Sequence, residues 1–328
     1  MKVTNKYNLP APLVRAIEWQ LSSHNPKSDV SCTTLIDSPL QFWLKKKYSD
    51  SIVVDASDML NALYGTLAHM IPEKFADKDA EHVEYEAMTT VNGWKVSAKV
   101  DYLLKGDVLS DYKFTSVWAT VNGVKPEWER QLNVGLWLMR HSDVNEQSNL
   151  KIGADIKRLE ICAMFRDWVP SIGDKFEMEV VTLPVDIWDD KVAEEYILER
   201  VKLHQEAKDL DKIPPICSDG ERWMSEFAIM KHGRKNAIKA KIKTREEAEK
   251  LMEEVGGDFV REAQPKRCRE FKVGERARCY CKYAQNNLCP HWDSFAQAVR
   301  DKPEIAKVKA TESVATDPDG KRKDGPNV

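Results

Sequence analysis

Apolar residues recur at helical spacing near the N-terminus, where Leu13, Ile17 and Leu21 line one side of a helix over residues 11–22. Pro39, with Asp37 or Ser38 as the capping residue before it, opens a second helix carrying Phe42, Trp43 and Leu44. A third is predicted over 57–75, with Leu60, Leu63, Tyr64 and Leu67 on one face; Pro72 lacks an N–H and should kink or end it. The period then changes from 3.6 to 2. Strand-like runs over 83–91, 94–104 and 108–114 are joined by Asn92-Gly93 and Lys105-Gly106-Asp107, both hairpin turn sequences. A helix over 127–140 and a strand over 158–165 complete the order helix, three-stranded meander, helix, strand.

Past residue 180 the pattern is helical again, with an amphipathic stretch over 188–210 ended by Pro214-Pro215. Thr244-Arg-Glu-Glu then caps a short helix reaching about residue 255. From Asp301 the chain is polar and free of aromatics, the composition of an unfolded tail. These readings divide the chain into an N-terminal helix (1–30), an α/β core (31–185), a helical C-terminal region (186–300) and a tail (301–328).

Composition narrows the class. The 328 residues are 42% hydrophobic and 31% charged, as in globular proteins, and hold no apolar run of membrane-spanning length. With no secretion signal at the N-terminus, the expected location is the cytoplasm. A net charge of −3 argues against bulk attraction to nucleic acid but leaves room for a local basic groove.

The chemistry concentrates around the second hairpin. If Lys105-Gly106-Asp107 is a three-residue loop, Leu104 pairs with Val108 and Asp101 falls opposite Asp111. Alternation then puts Lys99, Asp101, Asp111 and Lys113 on one face, with Val96, Ala98, Val100, Tyr102, Val108, Tyr112 and Phe114 on the other as core. Facing carboxylates repel, and a divalent cation turns that cost into coordination. Lys113 would point at the same phosphate or at an attacking water. The plain alternative is a solvated hairpin face with surface ion pairs worth ~0–1 kcal/mol each. Glu84 or Glu86 on the first strand would add a carboxylate, or simply lie on an exposed face.

Asp101 followed by Asp111-Tyr-Lys113 resembles the PD-(D/E)XK nuclease signature, closest to the RecB-like and phage exonuclease branch. Leu63-Tyr-Gly-Thr-Leu-Ala-His69 resembles that branch's helical histidine motif, and Glu129-Arg-Gln-Leu-Asn133 its glutamine helix, although Gly135 stands where a tyrosine is usual. The resemblance covers roughly residues 30–170 and implies a restriction-endonuclease-like αβββαβ core. It implies Mg²⁺ or Mn²⁺ on His69, Asp101 and Asp111, with Lys113 and Gln131 completing the catalytic set. It further implies a DNA-cleaving enzyme, an exonuclease of recombination, repair or phage DNA metabolism, with DNA and a recombination or single-strand-annealing protein as partners. A non-cleaving DNA-binding subunit and an endonuclease of the same fold remain as alternatives.

Four of the seven cysteines fall between Cys268 and Cys289, which in a reducing compartment reads as a metal site. Cys279, Cys281 and Cys289 would share one centre, with Cys217, Cys268 or Cys32 as the fourth ligand to zinc or an iron–sulfur cluster. Several RecB-like nucleases carry a four-cysteine cluster with one distant ligand, and the resemblance favours Cys217 and a [4Fe–4S] cluster here, in a structural role. Between Lys231 and Arg245 stand seven cations and no acid. Lys231, Arg234, Lys235, Lys239 and Lys241 are the expected DNA-backbone contacts, with Trp223 and Phe227 upstream as base-stacking candidates.

Overall fold

The structure is a computed structural model describing residues 2–22, 27–77, 79–121, 123–142, 155–218, 220–223, 227–234, 236–242, 244–262, 267–268, 271–273 and 276–291. The tail expected over 301–328 lies outside these. None of the described helices is long and apolar enough to cross a membrane.

The chain opens with β1 (Lys2–Thr4) and α1 (Ala11–Ser22), then β2 (Val30–Ser31), which runs into α2 (Cys32–Leu35). In α3 (Pro39–Lys47) the Ser38 hydroxyl accepts from Leu40 N, while Pro39 occupies a first-turn position where no N–H is needed. β3 (Val53–Asp55) pairs in parallel with β1. A 3-10 turn over Ala56–Asp58 leads into α4 (Leu60–Phe75), which keeps Pro72 inside its C-terminal part. Trp43 is buried in the core, as its helical spacing required.

A meander follows: β4 (Glu81–Val91), β5 (Trp94–Leu104) and β6 (Val108–Thr115), then α5 (Pro126–Arg140) and β7 (Arg158–Phe165). Over this stretch the order is αβββαβ. Both turns set the expected registers, Val91 against Trp94 and Leu104 against Val108. β6 and β7 are parallel, and β8 (Val180–Val185) closes the sheet antiparallel to β7. The fold is mixed α/β, built on a six-stranded sheet.

The sheet is irregular along β5. β4 lines one edge of that strand along its length, but β6 and β2 share the other edge. β6 pairs with Tyr102–Leu104 and β2 with Val96–Ser97. Between them, Ala98 to Asp101 have no ladder partner on that side, so the sheet opens there.

Successive residues of a strand point to opposite faces, and the helices use both. α4 brings His69 to Asp101, whereas Gly135 of α5 lies against Val100. α5 is buried on nearly every side from Leu132 to Met139. Its Asn133, only 2% exposed, donates to the Glu129 and Asp186 carbonyls and accepts from Trp188 N, so this buried amide is satisfied and ties α5 to the segment before α6 (Asp190–Glu206).

Beyond α6, the basic stretch folds into a small unit. β9 (Phe227–Met230) is the centre of a three-stranded antiparallel sheet with β10 (Lys239–Ile242) and β11 (Phe259–Glu262), and α7 (Arg245–Glu254) covers one face. Thr244 Oγ1 accepts from Glu247 N, the cap its sequence announced. A hairpin of β12 (Phe271–Val273) and β13 (Arg276–Arg278) and the short α8 (Lys282–Gln285) come next.

Candidate metal centre

Two turn sequences align three carboxylates. The β4–β5 register pairs Val83 with Tyr102 and Tyr85 with Val100, so Glu84 faces Asp101. On the other side Tyr102 pairs with Ser110, so Asp101 faces Asp111. The three acids form one row across β4, β5 and β6. Asp101 lies where the sheet opens, and its Oδ2 accepts from Tyr112 N at 2.9 Å, replacing a ladder bond. Glu84 adopts φ +52°, a left-handed conformation that costs a non-glycine residue of order 1 kcal/mol or more and is concentrated at functional sites.

Asp101 and Asp111 are 6% and 4% exposed, so their charges need partners. His69 Nδ1 lies 3.1 Å from Asp101 Oδ1 and 3.9 Å from Glu84 Oε1. Lys99 pairs with Glu84. Gln131 Nε2 donates to Asp111 Oδ1 at 2.8 Å, and its Oε1 accepts from Lys113 Nζ at 3.1 Å. The Lys113 ammonium also lies 2.6 Å from the buried Asp111 Oδ2.

The electrostatics follow from that crowding. Hydrogen bonds to Asp101 and then Glu84, reinforced by the charges of Asp101 and Asp111, outweigh burial and push the His69 imidazolium up to about 10. Burial pushes the Asp111 carboxyl up to about 6; the Lys113 charge opposes this and the Asp101 charge adds to it. Hydrogen bonding to His69, then to Lys99, holds Glu84 below the usual carboxylate range despite partial burial. Three acids are balanced by His69, Lys99 and Lys113.

The donor set fits a divalent cation. His69, Glu84 and Asp101 each offer a ligand atom, and these lie within 4.8 Å of one another. They combine imidazole with carboxylates and no thiolate, a donor set for a divalent cation, and the Asp111 carboxylate is a further oxygen donor nearby. The proton on His69 and a cation are alternatives for the same lone pairs.

All five residues singled out by the sequence, His69, Asp101, Asp111, Lys113 and Gln131, thus meet at one place. Glu84, left open between site and surface, belongs with them; Glu86 does not. Cys32 proves to be a neighbour of this site rather than of the other cysteines. Its thiol lies 3.6 Å from the Gln131 carbonyl, and burial, with the Asp111 charge, pushes it up to about 12. Gly135 has a packing reason: a Cβ there would meet Val100 Cγ1 at 3.4 Å, which leaves no room for a large side chain.

The C-terminal cysteines form a second cluster. Cys217 and Cys281 are buried, Cys268 and Cys281 share a hydrogen bond, and the charges of Cys217 and Cys279 also act on Cys268. That bond from Cys268, with others from Gln41 and the amides of Ala284 and Tyr283, outweighs burial and lowers Cys281 to about 5. Cys289 is half-buried against the same core. Among the described residues no three cysteine sulphurs lie within 4.8 Å of one another. A tetrahedral zinc site, with Zn–S of about 2.3 Å, brings its thiolates to about 3.8 Å apart. The segment is fastened by Arg267, whose guanidinium holds both Asp37 oxygens at 2.7 and 2.8 Å and lies over the Trp223 ring.

Of the basic run, Lys231, Arg234 and Lys239 are exposed; Lys235 and the Lys241 side chain lie outside the described residues. Phe227 is 4% exposed in the core of the small unit and is no stacking surface, because alternation along β9 turns it toward α7. Trp223 is 40% exposed, its ring against Tyr280 at 5.5 Å.

The sequence matches no family model and no curated protein. Seven chains of solved structures match, including the following two. One is the crystal structure of SSO0001, with 15% identity and a TM-score of 0.40 over 58% of this chain and 84% of that one. The other is an alkaline exonuclease from Laribacter hongkongensis, with 13% identity and a TM-score of 0.34 over 55% and 90%.

Proposed function

We propose that this chain is a divalent-cation-dependent deoxyribonuclease that hydrolyses phosphodiester bonds at DNA ends. The observation that carries the reading is the convergence of the His69–Glu84–Asp101 donors on the Asp111–Lys113–Gln131 triad at an opening of the sheet. A solvated hairpin face would not bury two aspartates.

His69, Glu84, Asp101 and Asp111 would hold Mg²⁺ or Mn²⁺. When bound, the ion supplies Lewis acidity toward a phosphoryl oxygen and a lowered pKa for water. Lys113 is the group placed to orient the attacking water and to offset charge gathering on the phosphoryl oxygens. Gln131 fixes both Asp111 and Lys113, so the ammonium is pre-positioned. Tyr112 N keeps the Asp101 carboxylate turned toward His69.

The cysteine cluster is a second, structural centre. Cys217, Cys279, Cys281 and Cys289, with Cys268 as the alternative, would hold an iron–sulfur cluster.

End-labelled linear DNA and closed circular DNA, each with Mg²⁺ or EDTA, test the proposal. Degradation of the linear form in Mg²⁺ with the circle intact supports it. Nicking of the circle makes the chain an endonuclease. Tight binding without cleavage, or full cleavage by Asp111→Ala or Lys113→Ala, overturns it.

A further inference from the structure

The β9–β10–β11 unit has one face that nothing in the hydrolytic site uses. Phe227, Ile229 and Val260 pack under α7. The ladder pairs Val260 with Ile229, so the neighbouring pairs Met230–Phe259 and Ala228–Arg261 point the other way. Phe259 is 38% exposed on that side, with the His232 ring 5.2 Å away, and Arg261 is exposed beside it. The β9–β10 turn adds Lys231 and Arg234, both exposed.

Charge is sorted across the unit. α7 exposes Glu246, Glu247, Glu249, Glu253 and Glu254 to solvent. Arg245 pairs with Glu249 on this helix, and among the described residues no ion pair involves Lys231, Arg234 or Arg261. Asp258, just before β11, accepts from His232 N at 2.7 Å. A polyanion is therefore repelled by the helix and drawn to the strands.

We infer that this strand face is a single-stranded DNA platform, a reading that rests on the chain acting on DNA. The aromatic decides between strand states. Phe259 can stack only on an unstacked base, whereas a duplex offers phosphates but keeps its base faces inside. Larger sheets of this kind stack two or three bases, and four-residue strands with one exposed aromatic suit about one or two. The cations track the adjoining phosphates without reading sequence.

The test is fluorescence anisotropy of the full chain in EDTA, with a labelled single-stranded oligonucleotide and its duplex. Phe259→Ala should weaken single-strand binding about fivefold or more, and Phe259→Trp should restore it. Lys231→Glu with Arg234→Glu should lower affinity and reduce the slope of log affinity against log salt by about 0.7 for each phosphate no longer neutralised. Equal loss on duplex and single strand for Phe259→Ala, or unchanged single-strand affinity in both variants, overturns the platform. So does a charge-reversed variant that keeps single-strand binding but loses an acidic peptide. Cleavage by the wild type in Mg²⁺ is read separately. If cleavage is absent while the variants lose single-strand affinity, the hydrolytic reading fails and the platform stands.

Discussion

Asp101 takes the Tyr112 amide at 2.9 Å, so a side chain does the work of a strand carbonyl where β5 and β6 part. The carboxylate is both a structural acceptor and a candidate ligand. These roles separate by substitution. Asp101→Asn keeps an oxygen for Tyr112 N but loses the charge, and Asp101→Ala loses both. DNA cleavage in Mg²⁺ should fall at least 10²–10³-fold in each. In chemical denaturation Asp101→Ala should be less stable than Asp101→Asn by about 1–3 kcal/mol, the cost of a buried donor left unpaired. Equal stabilities would mean that the Tyr112 bond does not hold the opening.

Gln131 touches the site only through other residues, donating to Asp111 and accepting from Lys113. Gln131→Ala should lower activity or cation affinity by about 10–100-fold, as loss of outer hydrogen-bonding partners does at metal sites. A titration of activity against Mn²⁺ separates the possibilities. A raised half-saturating concentration places the effect on Asp111, and a lowered plateau places it on Lys113. An unchanged curve removes Gln131 from the site.

Much of this arrangement could be read from the chain because two short turns carry it. Asn92-Gly93 sets Val91 against Trp94, and Lys105-Gly106-Asp107 sets Leu104 against Val108. Counting back from both puts Glu84, Asp101 and Asp111 in line, so the signal for Glu84 was present in the register. It was masked by alternation, which alone makes Glu84 and Glu86 equivalent. What distinguishes them is the positive φ of Glu84 and the reach of His69 from α4, both tertiary facts. The shared edge of β5 was not legible, since β2 is two residues long and carries no periodicity. Nor was the fold of 227–262, where strands of four residues are too short for alternation to show against a run of lysines.

Gly135 offers a test of the close contact between α5 and β5. An added Cβ meets Val100 Cγ1 at 3.4 Å, an ordinary van der Waals distance, and alanine also removes glycine's entropic cost in a helix. Gly135→Ala should therefore be stabilising by about 0.5–1 kcal/mol. Gly135→Tyr must push the helix off the strand and should cost about 1–3 kcal/mol. Thermal denaturation of the pair checks the sign of each, and a stable tyrosine variant would contradict the packing.

His204 gives a pH dependence away from the metal site. It is fully buried, with Nδ1 2.8 Å from the Arg200 carbonyl and Nε2 3.1 Å from the Thr34 carbonyl. Burial, first of all, lowers its pKa below the ordinary 6.5, helped by the Arg200 charge and opposed by the two carbonyls and Glu221. The folded state thus binds the proton less readily than the unfolded one. Its contribution is complete above the unfolded pKa and is lost as pH falls below 6.5 and on through the folded value. Unfolding free energies measured between neutral and mildly acidic pH should decline with acid, and His204→Gln should flatten that slope. A slope unchanged by the substitution assigns the dependence to other groups.

In the cysteine cluster, hydrogen bonding favours the thiolate that a metal requires. Metal ligation needs thiolates, and hydrogen bonds from Cys268, Gln41 and two backbone amides lower Cys281 below the ordinary thiol range. The segment that carries these thiols is fixed by the bidentate Arg267–Asp37 contact, and the metal content of the purified protein decides between zinc and a multi-iron cluster. Protein purified without oxygen should be brown, with absorbance near about 400 nm and iron and sulfide in equal amounts. Cys281→Ser should bleach it and lower the melting temperature, because the bound centre ties Cys217 and Cys268 to the C-terminal segment. Colourless protein carrying one zinc per chain would reverse the assignment, and metal-free protein with unaltered stability in Cys281→Ser would remove the centre altogether.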